Sequence, residues 1–507
     1  MQHALYRAAK ADPGRRFHAL YDKISRSDVL WRAWVAVRRN NGAPGIDKIT
    51  LGQVEEYGVS RLLGELASEL KEGRYRPLPA RRVYIPKPGV RGEQRPLSIP
   101  PVRDRIVQAA VKIVLEPVFE ADFLPCSFGF RPRLSAHDAL QVLVDECSRG
   151  RRWVVETDIA SCFSAIPHER LMEAVEERIC DQPVLKLLRV MLRAGVMEEG
   201  QVRREAAGTP QGGVFSPVMC NVYLHRLDRA WDEHDGVLAR FADDLVVMCW
   251  SASQAERALA RLTDLLASLG LEPKAAKTRI VWLEEGGEGF DVLGFHHRLV
   301  RSRGLNGKKQ VTFLARWPAD KAMRHARDRI RELTGRRRLP LPPEAIAQDM
   351  NVFLRGWVAY FRYGHSGRRL SKIRQYARMR LALFISKKHR RSRHFGWRIM
   401  LVSSPGDLGL VSLYGITVAP RPGKPWRTGR PYTSKNIGPD RTRCRSADLP
   451  SHYTLELVAT ARKSGPVRVV AGWGPLTGGP CLRGFREAGC AAASNERLRM
   501  FNVMRLR

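Results

Sequence analysis

The sequence predicts an α+β chain in which an antiparallel sheet over residues 61–300 is followed by a helical block over 316–400 and a basic tail over 401–507. Three observations predict it. Phe241-Ala242-Asp243-Asp244 lies between Leu238-Ala239-Arg240 and Leu245-Val246-Val247-Met248, the pattern of a β-hairpin with two acids at its turn. Trp153-Val154-Val155-Glu156-Thr157-Asp158-Ile159 is a β-rich run that brings in a third acid. From residue 316 onward, apolar residues recur three and four apart, the helical period.

Composition narrows the function classes. The chain has 507 residues, enough for roughly two to four domains. Lys and Arg number 87 against 51 Asp and Glu, so the net charge is +36 and the natural partner is a polyanion, with an anionic membrane surface as the competing one. No apolar stretch approaches the ~18 residues of a membrane span, and Met1-Gln2-His3-Ala4-Leu5-Tyr6-Arg7 lacks the apolar core of a signal peptide. Nine cysteines are scattered singly with no Cys-x-x-Cys pair, which argues against a structural zinc site and a disulfide framework and fits a reduced cytoplasm.

In chain order, residues 1–60 read as an N-terminal extension, helical and then loop, with Val29, Leu30, Trp34 and Val37 as a partial apolar stripe that Asn40 to Gly45 interrupts. Over 61–150, prolines punctuate short strands, and Lys87 and Arg95 flank the hairpin Pro88-Gly89-Val90-Arg91-Gly92. On charge alone that hairpin is a solvated basic loop; folded over, its cations suit a triphosphate. Val102 to Phe119 follows as a helix with Ile106, Ala110, Ile113 and Val114 on one face. Over 151–300, the Asp158 strand and the Asp243 hairpin present carboxylates from two strand ends. A solitary Asp-Asp turn is more often solvated, and a strand-end Asp often caps the next helix. Brought together, the two ends suit Mg²⁺, which takes few carboxylates plus substrate phosphates. Gln211-Gly212 opens a Gly-rich bend into a helix at Ser216-Pro217. Over 316–400 three amphipathic helices form a small bundle, the third with Arg368, Arg369, Lys372 and Arg374 on its outer faces and Lys387-Lys388 near its end. Beyond about Ser434 the chain is rich in Gly, Arg and Ser, with no reliable pattern.

The ordered set of motifs resembles the group II intron-encoded reverse transcriptases, or maturases. Asn41-Gly42-Ala43-Pro44-Gly45-Ile46-Asp47, Arg82-Val83-Tyr84-Ile85-Pro86-Lys87, Arg95-Pro96-Leu97-Ser98-Ile99-Pro100 and Ser127-Phe128-Gly129-Phe130-Arg131-Pro132 come first. Glu156-Thr157-Asp158-Ile159, Gly208-Thr209-Pro210-Gln211-Gly212-Gly213, the Asp-Asp turn, Lys277-Thr278 and Leu293-Gly294-Phe295 follow, and Asn351 to Trp357 resembles the family's thumb, the maturase X domain. One departure is Phe241, where the family usually carries tyrosine; the aromatic body remains and one polar contact goes.

The resemblance implies a right-hand polymerase with fingers and palm over 61–300, a thumb over 316–400 and DNA-binding elements within 401–507. It implies RNA-directed DNA synthesis on two Mg²⁺ ions held by Asp158 and Asp243, with the Ile159 carbonyl as a further ligand and Asp244 contributing mainly field. Lys87, Arg95, Gln211 and Gly212 would contact the incoming dNTP, and Phe163 would exclude a ribose 2′-hydroxyl. Lys277 would give a proton to the departing pyrophosphate, and Leu293, Gly294 and Phe295 would grip the primer. Intron RNA, target DNA and a primer strand are the implied partners, with Arg368, Arg369, Lys372, Arg374, Lys387 and Lys388 on their backbones and a nucleoid location when DNA is bound. Cys444, Cys481 and Cys490 do not supply the paired-cysteine spacing of the endonuclease that some relatives carry, so the primer is expected from another source. Two alternatives stay open at this level: a reverse transcriptase serving another system, such as phage defence or a retron, and an RNA-binding splicing factor without polymerase activity.

Overall fold

The computed structural model describes residues 1–86, 92–203, 207–208, 212–303, 310–403 and 406–424. Lys87, Gln211, most of the Pro88–Gly92 hairpin and the tail beyond residue 424 lie outside the described residues.

In the N-terminal half, strand β1 (Ala80–Pro86) pairs antiparallel with β2 (Gln94–Ile99). The next strand, β3 (Trp153–Asp158), belongs to a second sheet. The short strands β4 (Val196–Glu198) and β5 (Gln201–Arg203) complete the first sheet, with β4 joining β1 in parallel. The central helix is Val102–Glu120. The sequence reading gives it one apolar face, but it is buried on nearly every side: Ile106, Val107, Ala110, Val111, Val114 and Leu115 are fully enclosed, while Ile113 is only half-buried. The helix Ser27–Asn40 packs on it through Val29, Leu30, Ala33, Trp34 and Val37 and ends at Asn41 in a left-handed cap. Residues of the expected extension over 1–60 therefore share one continuous core with the fingers and one face of the palm. The loop after Asn41 is clasped by two arginines: Arg105 donates to the Ala43 carbonyl and Arg81 to that of Pro44, each at 2.8 Å.

The palm sheet adds β6 (Val237–Phe241), β7 (Asp244–Cys249) and β8 (Arg279–Trp282), in the order β6-β7-β3-β8, all antiparallel. Apolar packing covers both faces. Val155, Leu245 and Val247 face the fingers-side core, and Val154, Val246 and Met248 face a second core shared with the thumb. Burial on two sides is why Leu245 to Cys249 is an unbroken apolar run instead of an alternating one.

A third sheet, which the sequence reading left unassigned, links palm to thumb: β9 (Phe290–Val292), β10 (Phe295–Arg303) and β11 (Gln310–Pro318). Among the described residues four α-helices follow, Asp320–Leu333, Pro343–Phe361, Gly367–Lys388 and Arg393–Val402, the last one unpredicted. Residues 406–424 pack first on the thumb helix Pro343–Phe361 and then on the helix Ala136–Arg149. Asn351 bonds Gly409 and Val411, Gln141 donates to the Arg421 carbonyl at 2.8 Å, and Asp145 accepts from Gly423 N–H at 2.8 Å. No helix among the described residues is long and apolar enough to cross a membrane.

The palm–thumb junction encloses histidines beside one arginine. Burial, reinforced by the charge of Arg316, lowers His137 to about 3 and His365 to about 4, and holds His297 well below the usual range. Burial also lowers Arg316 itself to about 10; its guanidinium lies 5.6 Å from the Phe295 ring centroid. The unfolded chain binds protons at these histidines near their ordinary value of ~6.5, and the folded chain does not. Stability is therefore expected to be full above ~6.5 and to fall as pH drops towards 4. Melting temperature measured from pH 7.5 to 4.5 checks this (the range is roughly that of histidine titration), and His137→Phe should flatten the slope. An unchanged slope in that variant would remove His137 from the account.

Candidate active site

The Asp243 hairpin is held from three directions. Its turn is Ala242-Asp243, with Phe241 paired to Asp244 and Ala242 at φ +57°. Positive φ at the first loop position alone is the pattern of a type II′ hairpin, normally filled by glycine. On the adjacent strand, Asp158 pairs with Asp244, and the Ile159 N–H donates to the Asp243 carbonyl at 3.0 Å. The two strand ends therefore bring their carboxylates to the same space. Burial, then the charge of Asp158, raises the Asp243 carboxyl above its ordinary value, against the opposing pull of Arg95 and Lys277.

Lys277 completes the edge. The chain after Leu271 extends β3: Ala160 N–H donates to Glu272 O at 2.9 Å and Lys274 N–H to Asp158 O at 2.7 Å. Thr157 and Thr278 share a hydroxyl hydrogen bond of 2.7 Å. These contacts aim the Lys277 ammonium at Asp158 Oδ2, where it donates a hydrogen bond. Burial works against its charge, but the hydrogen bond and charge of Asp158, with Asp244 and Asp243 behind it, prevail and raise its pKa.

Sequence reasoning missed the support under the turn. Arg240 is fully buried and uses all three guanidinium nitrogens. Nε and Nη2 grip the equally buried Asp228 at 2.7 and 2.5 Å, Nη2 also donates to Ser127 Oγ at 2.8 Å, and Nη1 donates to Asn221 Oδ1 at 3.1 Å and the Ala242 carbonyl at 3.2 Å. Asn221 in turn donates to the Gly129 carbonyl at 2.7 Å. A Cβ on Gly129 would lie 2.4 Å from Ala242 N, so the Phe128-Gly129-Phe130 segment is pressed directly on the Ala242-Asp243 turn. A signal was available. Arg240 is a charge inside an apolar strand, and Asn221 and Asp228 are seven apart on the helix Ser216–Ala230, hence on one face.

The other predicted residues fall as follows. Arg95, on β2, is close enough for its charge to act on Asp243. Gly212, at φ +116°, passes so near β2 that a Cβ would lie 2.5 Å from Ser98 O. The Ile159 side chain is buried in the core, which leaves its backbone as the part available to a ligand. Phe163 is half-buried on the short helix Cys162–Ala165. Leu293-Gly294 forms the two-residue turn between β9 and β10, both residues at positive φ, and Tyr360 from the thumb donates to the Leu293 carbonyl at 2.8 Å. Among the thumb cations, Arg368, Lys372 and Lys387 are exposed. Arg369 pairs with Asp320, Arg374 with Asp407 and the Tyr414 ring, and Lys388 donates to Leu339 O and Pro340 O. Those three hold the protein to itself.

The residues fit a hard divalent cation. Asp158 Oδ1 is buried and has no hydrogen-bond partner among the described residues, an unusual state for a carboxylate oxygen. Among the described residues no three His, Cys, Asp or Glu side chains converge as a metal cluster. Asp244 instead lines a small crevice with Phe241, Val292 and Leu293 and acts on the site by charge, felt at Lys277.

Comparison with known proteins finds two family models along the chain. Residues 85–314 match the reverse transcriptase (RNA-dependent DNA polymerase) family model, and residues 323–401 match the group II intron maturase-specific domain. Protein YkfC of Escherichia coli (strain K12) is 34% identical over 370 residues, covering 64% of this chain and 94% of that protein. The group II intron-encoded protein LtrA of Lactococcus lactis subsp. cremoris is 38% identical over 215 residues, covering 42% of this chain and 35% of LtrA. An uncharacterized 91 kDa protein in the cob intron of Schizosaccharomyces pombe is 35% identical over 209 residues, covering 41% of this chain and 25% of that protein. Nearly all of one relative is matched, and a polymerase region and a maturase domain follow each other in order, so the chain belongs to the group II intron-encoded reverse transcriptases.

Proposed function

We propose that this RNA-directed DNA polymerase extends a primer 3′-hydroxyl with dNTPs at the Asp158–Asp243 pair, and that its thumb binds intron RNA for splicing and mobility into target DNA. The observation that carries the site assignment is the buried Asp158 Oδ1, without a hydrogen-bond partner among the described residues, beside a carboxyl whose ionised form is disfavoured. Both features suit two Mg²⁺ ions, with Asp158, Asp243 and the Ile159 carbonyl as ligands. When bound, the ions would lower the pKa of the attacking hydroxyl and stabilise charge on the leaving oxygen.

The chain's own residues do the rest. Arg95 and Lys87 grip the triphosphate, Arg95 as a planar fork and Lys87 as a point charge. Gln211 and Gly212 bring an amide and a closely approaching backbone to the nucleotide. Phe163 closes the space that a ribose 2′-hydroxyl needs. Lys277 holds a proton at Nζ at neutral pH and is placed to give it to the departing pyrophosphate. The Leu293-Gly294-Phe295 turn, braced by Tyr360, seats the primer end. Arg368, Lys372 and Lys387 offer exposed cations to RNA or DNA backbones. Splicing chemistry stays with the intron, and the protein stabilises the fold of the RNA.

Primer extension on poly(rA)/oligo(dT) with Mg²⁺ tests the polymerase assignment, and extension dependent on both Asp158 and Asp243 is the expected result. Failure of the purified chain to extend any primer, with intron RNA still bound, would leave only the splicing role. Affinity for intron RNA should fall by roughly 20- to 40-fold or more between ~50 and ~200 mM salt, because each of the three exposed cations that meets a phosphate releases a bound cation from the RNA. A flat salt response in a filter-binding assay would exclude the proposed backbone contacts.

A further inference from the structure

Four non-glycine residues with left-handed backbone surround the candidate site: Phe130 (φ +58°), Ser161 (+48°), Ala242 (+57°) and Leu293 (+49°). Such residues are strained and tend to mark functional sites. Ala242 and Leu293 each open a two-residue hairpin loop, and Ser161 precedes the short helix that carries Phe163. Phe130 closes no hairpin and caps no helix. A bulky aromatic is among the least tolerant residues of this conformation.

Both neighbours of Phe130 are locked. Gly129 is pinned by Asn221 and packed on Ala242. The Arg131 guanidinium donates to Glu120 at 2.8 Å, Leu124 O at 2.7 Å and Ser127 O at 2.8 Å. Between them the Phe130 ring meets Phe163 edge to face, with centroids 6.3 Å apart and planes at 76°, and lies 6.5 Å from the ring of Phe241. These separations are those of interacting aromatic pairs. All three rings are half-buried around the same turn.

We propose that Phe130 is a positioning residue for sugar discrimination, its ring bracing Phe163 against the 2′ side of the incoming nucleotide and tying it through Phe241 to the catalytic turn. This rests on the assignment of Phe163 as the residue that excludes ribose. Without the brace, Phe163 is present but free to tilt, and ribonucleotides gain room.

The test is single-nucleotide incorporation of dGTP against GTP opposite template cytosine, with kcat and KM measured for each. Phe163→Ala is expected to lower the kcat/KM preference for dGTP about a hundredfold, and Phe130→Ala roughly tenfold, with kcat for dGTP within about threefold of the parent. Phe130→Gly relieves the backbone strain yet also lacks the ring. It should match Phe130→Ala in selectivity while melting at a different temperature, which a merely structural role would not produce. The Phe163→Ala/Phe130→Ala double variant should be no less selective than Phe163→Ala alone, because the brace acts only through its partner. Full selectivity in both Phe130 variants, or additive losses in the double variant, would overturn the brace while leaving the Phe163 assignment intact. Full selectivity in Phe163→Ala would overturn both. If the alanine and glycine variants fail to fold, Phe130→Leu serves, with a partial loss of selectivity expected and parental selectivity counting against the brace.

Discussion

Asp243→Asn is expected to abolish DNA synthesis, by roughly 10³-fold or more, while raising the melting temperature of the metal-free protein. The first effect follows from removing one of two carboxylates that would hold the ions; a few kcal/mol of lost transition-state stabilisation is about three decades in rate. The second follows from the raised pKa of Asp243. Burial and the Asp158 charge disfavour its ionised form in the folded chain. A carboxyl raised in this way contributes stability at low pH that is lost as pH rises through its folded value. At neutral pH the parent has already lost that contribution, and asparagine carries no charge to lose it. Primer extension, melting in EDTA and a filter-binding assay with intron RNA read the three consequences. A lower melting temperature together with lost RNA binding would mean that the palm had unfolded, and the loss of synthesis would no longer identify the site.

Arg240→Met is expected to destabilise the protein by about 3–5 kcal/mol, because it strands Asp228 as an uncompensated buried charge. Arg240→Met/Asp228→Leu should recover most of that loss, since an apolar pair of similar volume tolerates the same burial. DNA synthesis should stay depressed by roughly a hundredfold even in the recovered double variant, because a misplaced reacting group costs about that much. The reason is geometric: Arg240 Nη1 reaches the Ala242 carbonyl and orients Asn221, which holds Gly129 against the turn. Denaturant titration separates stability from the rate measured by primer extension. Recovery of both stability and synthesis would reduce the clamp to an ion pair with no positioning role.

Much of the site was legible in the sequence because its signals are local. Strand period, the two-residue turn and the acids at its tip are set by neighbours within a few positions, so the Asp243 hairpin and the Asp158 strand could be read one residue at a time. The same holds for the helices Pro343–Phe361 and Gly367–Lys388, whose apolar stripes repeat within a turn or two. The central helix Val102–Glu120 was read as one-faced because periodicity cannot show how many neighbours will cover a helix. The β10–β11 hairpin is not legible because Arg301 and Arg303 fall in register with Phe295, His297 and Leu299 and break the apolar alternation on which a strand assignment relies.

By itself, then, the chain's residue order determined the reaction class, the strand and hairpin that carry Asp158 and Asp243, and the succession of sheet and helical regions. Tertiary structure alone decided which charges are spent internally and which face outward. Arg374 and Lys372 are two positions apart on one helix, yet one is bound to Asp407 and the other is exposed. It also decided that Arg240 meets Ser127 across 113 positions and that Phe130 meets Phe163. The physical reason is that a local pattern reports only the energy of its own segment, whereas the partner of a buried charge or a strained ring is set by which distant surfaces the fold brings within a few ångströms.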